Sequence, residues 1–243
     1  MSLSLCAIAL DEERLLPGML MSVTCQPLVS EVWIGVDSRT TDQTETVVEK
    51  FGCHTFRFDW HDDFAEARNQ VLLHTRGDWI LALDADERLL PTARLAIADL
   101  LDGGGIPLNV DGFRMLIDEG GDQEWTAPRL FRNEPELRYV GRVHEEVRYL
   151  PDPPRTMSVK LDGGPHLLHL GRAKHDRDRR LLHLRLKDNP NDAVAYCYLA
   201  LMARRDGRRI AARTFARRAL NCGPRSLHHE RVAQLRQLAV ALP

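Results

Sequence analysis

Two carboxylates one residue apart close the apolar run Trp79-Ile-Leu-Ala-Leu-Asp84-Ala-Asp86-Glu87. A buried strand that ends this way delivers acids to the carboxyl edge of a sheet, where open α/β folds bind ligands. Acids at that edge suit a hard divalent cation that keeps positions open for phosphate oxygens. A turn that simply exposes acids to water is the plainer alternative. Another acid, Asp37, leaves the apolar run Glu31–Val36 just ahead of Ser-Arg-Thr-Thr-Asp42-Gln-Thr44. Asp37 can accept hydrogen bonds from a ribose or a base, and the following helix N-terminus can face a phosphate. The same residue types also serve as ordinary caps. Arg68 and Asn69 lie in Asp62-Asp-Phe-Ala-Glu-Ala-Arg68-Asn69, on a helix that precedes the Asp84 strand. A guanidinium fork matches a diphosphate, while a solvated helix face explains it without any ligand.

The elements that must position these groups alternate along the first hundred residues. Strands are expected at Leu3–Leu10, Glu31–Val36, His54–Phe58 and Trp79–Leu83. Helices are expected at Leu15–Thr24, Thr41–Phe51, Phe64–His74 and Pro91–Leu101, with Gly77 as a C-cap and Pro91 in a first turn. That alternation predicts an α/β domain with a largely parallel sheet. Beyond Gly103 come Gly120, Gly121, Pro128, Pro135 and Pro151–Pro154, between strand candidates Gly112–Ile117, Ala127–Phe131, Val143–Tyr149 and His166–Leu170. They read as an antiparallel extension in which an acceptor pocket is built. After Gly171 the sequence turns helical and arginine-rich. Small and apolar residues at Ala193, Ala195, Leu199, Ala200, Ala212 and Ala219, with Gly207 and Pro224, fit one tetratricopeptide-type helix pair between two further helices.

Composition supports two modules. The 243 residues, 44% hydrophobic and 28% charged, exclude a disordered, collagen-like or disulfide-scaffold chain. Residues 1–170 carry 16 basic and 29 acidic side chains, net −13, whereas the remaining 73 carry 17 and 6, net +11. We therefore expect a domain over residues 1–170 and a helical module over 171–243, with the tail's arginines meeting an acidic partner or the acidic domain. A single helix pair is short of a free-standing solenoid, so a homodimer through the C-terminal helices is a reasonable expectation. Cys6, Cys25, Cys53, Cys197 and Cys222 form no CxxC pair, which points to reduced thiols and a cytoplasmic protein. No apolar run approaches a membrane span, and the tail has few aromatics and no nucleic-acid-binding motif.

In order and spacing, these segments resemble glycosyltransferase family 2 on the GT-A fold. The resemblance rests on Asp11-Glu12-Glu13, on Val36-Asp37 through Thr44, on Asp63 through Asn69, and on Gly77 through Glu87. It continues through Arg129-Leu-Phe-Arg132, Gly141-Arg-Val-His-Glu145 and His169-Leu-Gly171 into a helical tail, as in a bacterial subgroup. It implies transfer of a sugar from a nucleotide-diphosphate sugar, a UDP-sugar first among them, with inversion and with Mn²⁺ or Mg²⁺. Asp11 and Asp37 would contact base and ribose, Arg68 the diphosphate, and Asp84 the ribose or metal; Asp86 would be the principal metal ligand. His169 would complete the metal shell, or be a structural histidine of its strand. Two departures bear on donor choice: Asp11 stands where the pattern has asparagine, and Arg39 where it has a small residue.

Inversion needs a base in reach of the incoming nucleophile. Glu145 is the candidate, with Glu146 and Asp118 as competitors and His144 as an acceptor-orienting group. Trp60 and Trp125 can stack on sugar or base, though buried core tryptophans are the simpler expectation. The acceptor is open among sugar, peptide, lipid and small molecule. A degenerate, non-catalytic binding protein is the alternative. A haloacid dehalogenase-type phosphohydrolase fits less well, since Arg88 stands where that pattern has Thr or Val and only Lys160, Lys174 and Lys187 follow.

Overall fold

The computed structural model describes residues 1–243 except 26–27, 104–105, 108, 121–123, 151–158, 162–165, 171–174, 224–226, 228 and 241–243. Two compact units divide the chain, Met1–Val140 with Glu145–Arg172, and Gly141–His144 with Ala173–Pro243.

In the first unit, β1 (Leu3–Ala9), β2 (Glu31–Asp37), β3 (His54–Phe58) and β4 (Trp79–Ala82) alternate with α1 (Leu16–Thr24), α2 (Thr44–Lys50) and α3 (Phe64–Leu72). Then follow β5 (Glu87–Leu89), α4 (Pro91–Asp102), β6 (Gly112–Asp118), β7 (Glu124–Arg132), β8 (Leu137–Val140), β9 (Glu146–Tyr149), β10 (Val159–Lys160) and β11 (Leu167–His169). The main sheet runs β3-β2-β1-β4-β7-β6-β11-β5, with β10 also paired to β6, and β8 and β9 form a separate hairpin. β1 through β4 are mutually parallel where they pair, and β7 enters antiparallel to β4 and β6. Strands β1 and β4 are buried on both faces almost throughout, the pattern of central strands covered by helices. The order reverses at β1, since the chain builds outward to β3 and then returns to place β4 on the other side. Ligands bind at the carboxyl ends of strands flanking such a reversal.

Local chemistry explains where the elements stop. Thr41 and Asp42 donate their amides to Asp11 Oδ1, at 2.8 and 3.3 Å, so α2 begins at Thr44 and not at Thr41. Asp63 caps α3 by accepting from Glu66 N at 3.0 Å, and Pro91 occupies the first turn of α4. The strand expected from Val143 begins at Glu146, because Gly141 (φ 98°) and His144 (φ 51°) take left-handed backbone. Three short strands are absent from the sequence expectation: β5, which begins at the end of the acidic motif, β8, which lies beside α3, and the two-residue β10 on β6.

Gly77 does not cap α3, which ends at Leu72 with Leu73 as its cap residue. It is instead a point of close approach: its amide donates to the buried Ser4 Oγ at 2.8 Å, and Ser4 Oγ in turn donates to Glu31 Oε1 at 2.5 Å. The second unit contains α5 (His175–Asp188), α6 (Ala193–Arg205), α7 (Arg209–Cys222) and α8 (His229–Val240). Asp192 caps α6 through Ala195 N at 2.9 Å, Gly207 (φ 72°) turns the chain into α7, and Tyr196, Cys197, Ala200, Ala216 and Leu235 form the core.

A Cβ added at Gly77 would stand 2.6 Å from Ser4 Oγ and 2.7 Å from Ser4 N, and the backbone atom cannot yield as a side chain could. Gly77→Ala is expected to cost about 1–3 kcal/mol of folding stability, as overpacking does, and urea unfolding measures it. Wild-type stability in that variant would mean that the β1 entry is not close-packed.

Candidate active site

The carboxyl edge of the sheet carries every strand-end acid singled out from the sequence. β4 leads to Asp84, and the turn that follows is fastened in both directions: Glu87 N donates to Asp84 O at 2.9 Å, while Asp84 N donates to Glu87 Oε2 at 2.9 Å. Glu87 thereby returns into the sheet as the first residue of β5, fully buried.

Two buried guanidinium groups organise this corner. Arg68, on α3, donates from Nη2 to Asp84 Oδ1 and from Nε to Glu145 Oε1, both at 2.6 Å. Arg129 donates from Nη2 to Asp84 Oδ2 at 2.9 Å and to Glu87 Oε1 at 2.6 Å. The aim of Arg129 has a local cause. β6 and β7 pair Phe113 with Leu130 and Arg114 with Pro128, so Arg129 is the extra residue of a β-bulge. Bulges redirect a side chain, and they are also where proline is tolerated inside a sheet.

Against the burial that would raise it, Arg68 and Arg129 hold the Asp84 carboxyl well below the usual range. Burial, aided by the Asp84 charge, pushes Glu87 up to about 7 although Arg129 opposes it. The physical cause is charge balance: three carboxylates meet two guanidiniums, and the deepest acid is the one that gains from a proton. Burial pushes the neighbouring Cys6 thiol up to about 12, so it packs as an apolar side chain and not as a nucleophile.

Asn69 does different work from its neighbour. Its Nδ2 donates to Tyr139 O and its Oδ1 accepts from Tyr139 N, both at 2.9 Å, which ties α3 to β8 as a strand neighbour would. The Arg68-Asn69 pair is thus one charged group facing the strand edge and one amide anchoring the hairpin.

Asp86 and His169 also meet. Leu170 N donates to Asp86 O at 2.9 Å, His169 pairs in register with Glu87, and His169 Nε2 lies 3.4 Å from Asp86 Oδ2. The Asp86 hydrogen bond raises the imidazole above its ordinary value despite partial burial. His169 Nδ1 lies 3.4 Å from Glu119 Oε1 on the other edge of the ring. Among the described residues no group of three or more His, Cys, Asp or Glu is arranged to hold a metal ion. Asp86 and His169 nevertheless fit one as a two-donor set, partly exposed and side by side, of the kind that leaves positions for substrate oxygens. Asp84 does not, because both of its oxygens are already bound to arginines.

The remaining expected residues are placed as follows. Asp37 is buried at the end of β2, and Arg39 takes both its oxygens, Nε and N donating to Oδ1 at 2.9 Å and Nη2 to Oδ2 at 2.6 Å. The Arg39 guanidinium also lies over the Trp60 ring, 5.5 Å from its centroid. Asp11 sits in left-handed backbone (φ 54°) and ties the β1 exit to the Thr41 turn. Glu146 pairs with Arg148 at 2.9 Å, and Asp118 Oδ1 accepts from Gly120 N at 2.7 Å. Neither tryptophan is a buried core residue: Trp60 is half-buried with Nε1 on Asp62, and Trp125 is 39% exposed with Nε1 on Glu119. His144 stacks on Tyr198 within the helical unit. Glu87 and Arg129 are the site residues that sequence reasoning gave no role.

A sheet reversing at β1, with carboxylates at the ends of β1, β2 and β4 and an antiparallel strand inserted beside β4, defines the GT-A class of α/β fold. Staphylococcus aureus TarS residues 1–349, solved in complex with UDP-GlcNAc, superposes with a TM-score of 0.60 at 12% identity, covering 98% of this chain and 81% of that one. The sequence profile described as Glycosyl transferase family 2 matches residues 4–159, and the chain belongs to that family. A TPR repeat-containing protein of Synechococcus elongatus is 32% identical over 235 residues, covering 90% of this chain and 57% of the relative's length. The chain thus spans little more than half of that curated relative.

Arg129→Met is expected to destabilise the fold by about 3–5 kcal/mol, since it leaves Glu87 and Asp84 short of a counter-charge in a buried setting. Chemical denaturation measures the loss, and a cost below about 1 kcal/mol would show that the network is not a buried ionic frame.

Proposed function

We propose that the protein transfers a sugar from a nucleotide-diphosphate sugar, a UDP-sugar in the first instance, to an acceptor nucleophile with inversion at the anomeric carbon. The observation that carries this reading is the placement of Asp84, Asp86, Glu145 and His169 together at the carboxyl edge beside the strand reversal. The UDP-GlcNAc complex of TarS, a chain of the same fold, supports the choice of donor.

In this reading Asp11 and Asp37 line the nucleoside side of the site, and Asp84 faces the ribose. Arg68 acts as a positioning residue, because its two bonded nitrogens hold Asp84 and Glu145 and are thereby withdrawn from a diphosphate. Glu145 is the general base. One oxygen is fixed by Arg68, and the other takes the acceptor proton as the new bond forms at the anomeric carbon. The bond from that carbon to the diphosphate breaks in the same step, releasing the nucleoside diphosphate. Asp86 and His169 would hold Mn²⁺ or Mg²⁺, which when bound offsets charge on the departing diphosphate. The acceptor is a hydroxyl or other nucleophile of a sugar, peptide, lipid or small molecule. We further assign residues 1–170 to the transferase domain and 171–243 to a tetratricopeptide-like module that supports a homodimer, in a cytoplasmic protein. No helix of the described residues is long and apolar enough to cross a membrane.

Release of UDP from a panel of UDP-sugars, with water as acceptor, is the direct test. Turnover is expected with MnCl₂ and not after EDTA. Asp86→Ala should lower it by about 100-fold or more, a loss on the scale of removing one transition-state charge contact. Glu145→Gln should abolish turnover while UDP binding by calorimetry is unchanged. Absence of both nucleotide binding and turnover in the wild-type chain would overturn the transferase reading, and full activity of Glu145→Gln would reassign the base.

A further inference from the structure

Between Arg204 and Arg218 the chain carries seven arginines, no lysine and one acid, Asp206. That acid is already committed, since Arg179 and Arg205 both reach it. Of the arginines on α7, Arg218 turns back to α6 and donates to the Tyr196 hydroxyl at 3.0 Å. Arg209, Arg213 and Arg217 do not. They follow one another at i, i+4 and i+8, a single ridge about 12 Å long. Arg209 and Arg217 are exposed, Arg213 is half-buried, and among the described residues none of the three meets a carboxylate. The packing side of α7 is elsewhere on the helix, where Ala212, Ala216 and Ala219 are buried, the last two in the core shared with α6 and α8.

Such a ridge is costly for its own helix. Like charges four residues apart repel each other, and an arginine in the first turn opposes the helix dipole where an acid would be favoured. Arg208 at the N-cap makes no side-chain capping bond, so nothing local offsets this. Sequences break local rules of this kind at functional sites.

The ridge also has an apolar member. Each helical residue turns by about 100°, so Arg209, Arg213, Arg217 and Ile210 fall within one arc of about 100°. Ile210 is 86% exposed, more than any other large apolar side chain among the described residues. An aliphatic residue held in water among guanidinium groups fits a partner with negative charge at its surface and an apolar layer directly beneath, which is the make-up of an anionic lipid bilayer. Guanidinium forks match its phosphates. A nucleic acid has the phosphates, but its bases are met by aromatic side chains, and this arc has none. An acidic protein needs an interface of roughly 800 Å² on each side with a close-packed centre, more than a face one helix wide with one aliphatic residue supplies.

We propose that the α7 ridge of Arg209, Arg213 and Arg217, with Ile210 at its amino end, docks the protein on an anionic phospholipid surface as a peripheral contact. This inference is independent of the sugar-transfer reading, because none of these residues belongs to the candidate active site.

The test is co-sedimentation of the full chain with vesicles of phosphatidylcholine alone and of phosphatidylcholine with about 30% phosphatidylglycerol, at about 0.1 M salt. Binding is expected to the second and not to the first, and is expected to be lost at about 1 M salt. Each arginine near such a surface is worth about fivefold in affinity. Arg209→Gln, Arg213→Gln and Arg217→Gln combined should therefore bind about 100-fold more weakly, and the three lysine substitutions combined should stay within about tenfold of wild type. Ile210→Ser should bind about tenfold more weakly. Since glutamine relieves the repulsion along the ridge, the glutamine variant should melt no lower than wild type by circular dichroism, which separates lost docking from lost folding. Were it to melt lower, Ile210→Ser, a change at an exposed side chain, carries the comparison. Absence of wild-type binding to the anionic vesicles, or wild-type binding by the folded glutamine variant and by Ile210→Ser, overturns the proposal. Tighter binding to polyglutamate or to duplex DNA than to the anionic vesicles, lost in the same variants, also overturns it and assigns the ridge to an acidic protein or a nucleic acid.

Discussion

The arrangement of the first unit depends on two arginines that lie out of water. Arg68 and Arg129 bring together Asp84 after β4, Glu87 on β5 and Glu145 before β9, three acids separated by 61 residues at the extremes. Burying charge is expensive, and a buried pair is repaid only when geometry is good and the remaining polar atoms are satisfied. Such a network therefore adds little net stability over an apolar filling. Its value is that few alternative arrangements satisfy it, so it fixes the relative placement of α3, the β4 exit, the β7 bulge and the Glu145 backbone. A site that must present a carboxylate to within a fraction of an ångström needs that kind of restriction.

Much of this could be read from the chain. The strand–helix alternation through Pro91, the fully apolar β4 and the acids at the strand exits follow from hydrophobic period and from the chemistry of capping. The arrangement of helices after residue 174 is legible for the same reason, since small and apolar residues recur at helical spacing. What the sequence did not disclose has a physical pattern. β5 is three residues long and begins with a glutamate, so no periodicity marks it. The Arg129 bulge exists because the β6 and β7 registers differ by one residue, a relation between two segments and not a property of either. Pro128 inside a strand was its local sign. Gly77 looked like a helix end because its sequence position fits one, whereas its real constraint comes from Ser4, 73 residues away. Trp60 and Trp125 resist prediction because each buries one edge and turns its indole N–H to a nearby acid.

Asp37 shows how differently an acid behaves when its arginine faces water. Asp37 and Asp84 both end parallel strands and both have two oxygens bound by guanidinium groups. The arginines of Asp84 are buried at 9% side-chain exposure and are anchored by further carboxylates, Glu145 and Glu87. Arg39 is 55% exposed and is two residues from its partner in the chain. The solvent on the guanidinium side screens this pair, although its carboxylate is buried. The Asp84 frame thus has both of its guanidinium partners out of water, while the Asp37–Arg39 pair joins a buried carboxylate to an exposed guanidinium that also lies over the Trp60 ring at 5.5 Å. Arg39 stands where the pattern that the sequence resembles has a small residue, and the Asp37 carboxylate is engaged on both oxygens as a result. Asp84 and Glu87, by contrast, are bound to guanidinium groups that are themselves out of water.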